Sequence, residues 1–74
     1  MIRDLDPVLL AVDLPEHGLK YGDLGAVVLI HEGGGYEVEF VTLDGHTLAV
    51  VTLLPSQIRP VSAGLIAHAR AVVA

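Results

Sequence analysis

The stretch YEVEFVTLDGHTLAVVTLL, residues 36–54, decides the fold. Tyr36, Val38 and Phe40 alternate with Glu37 and Glu39. That is the period of two expected of a strand with one apolar face and one wet face. Asp44-Gly45 is a strong hairpin signal, and Thr47 to Leu54 returns as a second apolar, β-branched strand.

Upstream, Gly33-Gly34-Gly35 supplies a turn, and Leu24 to Glu32 (LGAVVLIHE) reads as a strand that leads into it. Leu14 to Gly22 (LPEHGLKYG) breaks regular structure with one Pro and two Gly, and is long for a hairpin turn. Pro7 to Asp13 is the first strand. Downstream, Pro55 to Gln57 reads as a single 3₁₀ turn and Ile58 to Val61 as a short last strand, with Pro60 confined to an edge or strand end. Ser62 reads as the N-cap of a closing helix, Ala63 to Val73, with Leu65, Ile66, Ala69, Val72 and Val73 on one stripe and Arg70 suited to the helix dipole. The expected architecture is mainly β: an SH3-like small five-stranded barrel over residues 1–61, then a short C-terminal helix over 62–74 that packs on the barrel or on another subunit. An open meander with the helix across one face is the alternative.

With 74 residues, one domain is the only sensible count. Apolar residues at 53% and charged residues at 18% exclude a disordered chain. Four Lys and Arg against nine acidic residues, net charge -5, oppose a grip on phosphate backbones. The absence of cysteine excludes disulfides, thiolate zinc and iron–sulfur sites. A domain this small buries only about 60–65% of its unfolded surface. So apolar a composition leaves surface for another chain, and self-association is the simplest use of it. Met1 to Asp6 is mixed and acidic rather than a targeting segment, and apolar runs of about five residues fall far short of the roughly 18 that span a bilayer. A cytoplasmic protein without membrane contact is the expectation.

The chemistry-bearing residues are sparse. Gly22-Asp23-Leu24-Gly25 could form a backbone nest for an anion, but reads first as a turn feeding the next strand. Lys20 and Tyr21 beside it are too few for a nucleic-acid stacking platform. The Gly33–Gly35 run lacks the G-K-[ST] ending of a phosphate loop. His17, His31, His46 and His68 show no metal-ligand spacing. Glu37 and Glu39 read as a solvated charge row rather than an acid–base pair. Ser56 has no nucleophile elbow, and Ser62 is engaged as a cap. No enzyme activity, cofactor or metal is expected.

The segments DLPEHGL (13–19), GDLGAVV (22–28) and YEVEF (36–40) together resemble a family of short bacterial proteins known as domain of unknown function four-nine-two-six. The resemblance covers about residues 7–61, with Ala26 where the family's second motif has Thr. It implies an SH3-like fold. The G-D-x-G-x-V segment is also similar to the KOW-type turn of ribosomal and transcription-factor domains, and the β subunit of nitrile hydratase contains a similar barrel. Small members resemble antitoxin-like or accessory proteins encoded beside a larger partner.

The expected function is therefore a non-enzymatic protein-binding module, an accessory or antitoxin-like partner of a larger, basic bacterial protein encoded nearby. Asp13, Leu14, Glu16, His17, Leu19 and Tyr21 are the candidate partner-binding residues. Leu65, Ile66, Ala69, Val72 and Val73 are the candidate homo-oligomer interface. The alternatives are a KOW-like nucleic-acid-binding module, and a structural homo-oligomer or small metallo-accessory protein that uses the histidines.

Overall fold

The computed structural model describes residues 2–72. Five strands, β1 (Pro7–Leu10), β2 (Leu24–Ile30), β3 (Tyr36–Val41), β4 (Thr47–Leu53) and β5 (Ile58–Pro60), form one antiparallel sheet in the order β4-β3-β2-β1-β5. Short 3₁₀ turns at Pro15–His17 and Pro55–Gln57 each start on a proline. The ring presets φ there and withholds an N–H that a helical first turn leaves unpaired anyway.

The register puts Val27, Val38 and Val51 side by side across β2, β3 and β4, and pairs Leu10 with Ile58 across β1 and β5. These side chains share the inner face, because side chains alternate along a strand and directly paired residues point the same way. With Val8, Phe40, Leu53 and the loop residue Leu19 they form one buried cluster. Irregular register between Val27 and Leu29, and between Phe40 and Val41, bends the strands around that cluster. The β3–β4 turn is closed by Thr42 N–H on His46 O and by Gly45 N–H on Thr42 O. Gly45 sits there at φ 92°, a conformation that costs a residue without Cβ little.

The mainly β expectation holds, all five strands and the Pro55–Gln57 turn fall within the expected segments, and the Pro15–His17 turn is an addition inside what read as an irregular loop. Two expectations do not hold. The sheet is not closed: β4 pairs only with β3 and β5 only with β1. β5 is three residues long, its pairing is spent on β1, and Pro60 has no N–H to offer a second neighbour. The C-terminal helix is also absent from the described residues: one turn, Leu65 N–H on Ser62 O, is followed by irregular chain to Val72. A helix this short is marginal without a packed face, Gly64 weakens its first turn, and Arg70 is drawn away into tertiary hydrogen bonds. The apolar surplus is shared between this tail, with Leu65, Ile66 and Val72 exposed, and the sheet. Leu24, Leu29, Val41 and Val50 stand half or more exposed on the strands.

Candidate functional site

The long loop between β1 and β2 is fixed by its own backbone. Leu14 and Leu19 exchange N–H···O bonds at 2.9 and 3.1 Å, across the Pro15–His17 turn. Leu19 then drops into the core with 2% of its surface exposed, while Glu16 and His17 stay outside on the turn. Leu14 is half-buried and packs against the core. Asp13 Oδ1 accepts the Tyr21 N–H at 2.8 Å, and Gly22 N–H bonds Leu10 O at 2.8 Å. Tyr21 is thereby fixed at its backbone while the residue stands 58% exposed. Arg59, on β5, lies over that ring with Cζ 5.5 Å from the centroid, within cation–π range.

Of the six candidate partner-binding residues, the structure thus leaves Asp13, Glu16, His17 and Tyr21 on the surface. Leu19 belongs to the core and presents no side chain to a partner. Asp13 and Leu14 hold the loop in shape. In the candidate oligomer interface, Leu65, Ile66, Ala69 and Val72 share no helical stripe, and Ile66 stands 93% exposed; Val73 lies outside the described residues.

Asp23 closes the other end of the loop. Its Oδ2 accepts the Lys20 N–H at 2.8 Å, and its own N–H bonds Lys20 O at 3.0 Å. With the Gly22 and Asp23 N–H groups spent internally and a carboxylate in the turn, the Gly22–Gly25 segment offers no cradle for an anion. Instead it holds a cation. Arg70 donates from Nε to Asp23 Oδ1 at 2.8 Å, from Nη2 to Asp23 Oδ2 at 2.6 Å, and again from Nη2 to Gly18 O at 2.9 Å. Gly18 and Arg70 also line a small recess together with Asp13, Pro15 and Lys20.

The Arg70 hydrogen bonds, first among the causes, hold the Asp23 carboxyl below its ordinary range against the opposing effect of burial; the Lys20 N–H adds to the lowering. The guanidinium is raised in turn. For a carboxyl lowered on folding, the linked stability is fully present above the unfolded carboxylate pKa and is lost as pH falls through the folded value. Acidification from neutral pH is therefore expected to release Arg70 only below the ordinary carboxylate range. The Arg70 side-chain NMR resonance should report this step, and Asp23→Asn should remove it. An unchanged step in that variant would assign the titration to Glu37 or Asp44, which are also lowered.

On the outer face the two glutamates are not a bare solvated row. Glu37 accepts hydrogen bonds from Thr52, its cross-strand neighbour, and pairs with His31 Nε2 at 2.7 Å; Glu39 accepts from Thr47 at 2.8 Å. The Thr52 bond, then His31, holds Glu37 below the usual carboxylate range. Asp44 is lowered first by Thr42 and then by His46. Among the described residues no three His, Asp or Glu side chains gather as a metal site, and no helix is long and apolar enough to cross a membrane.

The profile of the family described as Domain of unknown function (DUF4926) matches residues 4–60. The chain belongs to this family. The matched span contains the whole loop, Asp23 and Arg59, and stops ten residues before Arg70. No curated protein and no solved structure matches the chain.

Asp23, Gly18, Arg59 and Arg70 are the site residues that sequence reasoning did not select as such. The available signal was charge scarcity. Arg70 is one of only four Lys and Arg in an acidic chain, and a cation in so apolar a tail finds a carboxylate.

Proposed function

We propose that this DUF4926 domain is a non-enzymatic protein-binding module, an accessory partner of a larger and more basic protein in the manner of an antitoxin. The observation that carries this reading is Tyr21: an exposed aromatic ring on a backbone fixed by Asp13 and Leu10, braced by Arg59. Exposed, preorganised aromatics of this kind supply much of the binding energy at protein interfaces, since little conformational freedom remains to be lost. The net charge of -5, with Glu16 on the same loop, favours encounter with a basic surface.

The test is affinity capture from the native host's lysate at low salt, after nuclease treatment. The full chain should retain one protein in stoichiometric amount. Tyr21→Ala should lose it, by about 2 kcal/mol or some thirtyfold in affinity. Glu16→Lys should slow association in a salt-dependent way. Glu16 is the cleaner charge probe, because replacing Asp13 would also release the Tyr21 backbone. Equal retention by wild type and Tyr21→Ala would rule this surface out.

A further inference from the structure

Arg70 uses four of its five N–H groups: two on the Asp23 carboxylate, one on Gly18 O, and one from Nη1 on the neighbouring Ala71 O at 3.1 Å. A fork on a carboxylate plus a carbonyl is a demand for a planar guanidinium, which a lysine ammonium does not meet. The acceptors do not depend on the tail for their placement. Asp23 is positioned by Lys20 N–H, and Gly18 by its N–H bond to Pro15 O at 3.1 Å.

The tail is held much more lightly than the loop that receives it. Among the described residues no backbone hydrogen bond joins residues 66–72 to the rest of the chain. Residues 67–70 and Val72 line an open groove of about 940 Å³ whose other walls include Leu24, Phe40, Val41, Leu43 and Leu48. Ala69 and Ala71 flank the arginine, and Ala69 lines the groove.

We infer that the Asp23 carboxylate and the Gly18 carbonyl, with the adjoining groove, form a receptor for an extended protein segment bearing one arginine between small residues, and that Arg70 occupies these acceptors as a built-in competitor while the tail forms one wall of the groove. The inference rests on the protein-binding reading and gives the partner a chemistry: a cationic, arginine-bearing segment, matched to the Asp23 carboxylate and the Gly18 carbonyl. An arriving segment displaces a tail tethered by one side chain. The tail resists through its high effective concentration, and the apparent affinity for the outside segment falls by the fraction of time the site stands free.

The test uses the full chain and full-length Arg70→Ala, each titrated with a synthetic peptide of residues 65–72 (LIAHARAV) while the Lys20, Tyr21 and Asp23 amide resonances are followed. Arg70→Ala should bind the peptide about tenfold more tightly than wild type, as for a tail docked about nine-tenths of the time. The same peptide with alanine in place of its arginine should shift none of these amides, and with lysine it should bind several-fold more weakly. This comparison leaves the protein unaltered. Equal affinity of wild type and Arg70→Ala, or equal binding of the arginine-free peptide, would overturn the proposal. So would a wild-type dimer in sedimentation that Arg70→Ala dissolves, since a second copy's tail would then be the occupant. Peptide binding that survives while the Tyr21-dependent partner is absent refutes the Tyr21 reading alone; a captured partner with no response to the peptide refutes this one alone.

Discussion

Replacing Gly25 with alanine is expected to cost the domain most of its stability. A Cβ at this position would lie 2.7 Å from Val38 Cγ1, 2.8 Å from Phe40 Cε1 and 3.0 Å from the Glu39 carbonyl oxygen. The first two atoms belong to packed, fully enclosed side chains, and the third is backbone of the strand paired with β2. None is the free end of a flexible side chain that could swing away. Overpacking of this kind costs about 3 kcal/mol at the upper end of its usual range. A single core in a chain this short supplies only about 3–5 kcal/mol in all. The urea midpoint followed by circular dichroism should fall sharply or vanish. A midpoint equal to wild type would show that β2 can move away from β3 at no cost, contrary to this packing. The requirement here is for space alone. Gly25 is thus the glycine whose replacement reaches the core.

Phe40→Ala is the second large effect. Phe40 is the only phenylalanine and is 2% exposed, on the same inner face. Its removal takes away the ring's transfer free energy and leaves a cavity that the sheet cannot fully close, a loss of about 3–4 kcal/mol. The two substitutions are coupled through the ring edge. Removing the ring vacates one of the three atoms that an alanine at position 25 would strike. The double variant should therefore be more stable than the sum of the single losses implies, by about 1 kcal/mol. Strict additivity would place the Gly25 clash on Val38 and the Glu39 backbone alone. Both single variants are best compared in a stabilising osmolyte, which keeps enough folded protein to measure.

The strands were readable because their signals are local. The Tyr36–Phe40 alternation and the Asp44-Gly45 turn need no knowledge of distant residues, and they fixed the β3–β4 hairpin and its inward face. The long first loop was readable as a loop, and Tyr21 as its exposed aromatic. Leu19 was not readable as core. Its burial follows from the Leu14–Leu19 bridge, which turns the loop back on itself, and nothing in the periodicity marks that bridge. Barrel closure depends on whether β5 reaches β4 across the curved sheet, a long-range matter for a three-residue strand. The Arg70–Asp23 pairing spans 47 positions. Charge alone put Arg70 equally well at the end of a helix, where a dipole would have suited it. The Thr52 partner of Glu37 follows from the β3–β4 register, which the turn implied but did not specify residue by residue, and the Thr47 partner of Glu39 lies beyond the register shift after Phe40, which no sequence signal marks.

The sheet left open between β4 and β5 has two unsatisfied rims of unequal hazard. β5 is blunted: three residues, one of them Pro60, with Arg59 between. β4 is seven residues long, contains neither proline nor lysine, and sets Leu48 and Val50 beside its open rim. Exposed strand rims without such blocking residues template the addition of further strands. In crowded or overexpressed preparations, misassembly between molecules is expected to start along Thr47–Leu53, and a single lysine introduced on that rim is the place to begin in keeping the protein dispersed.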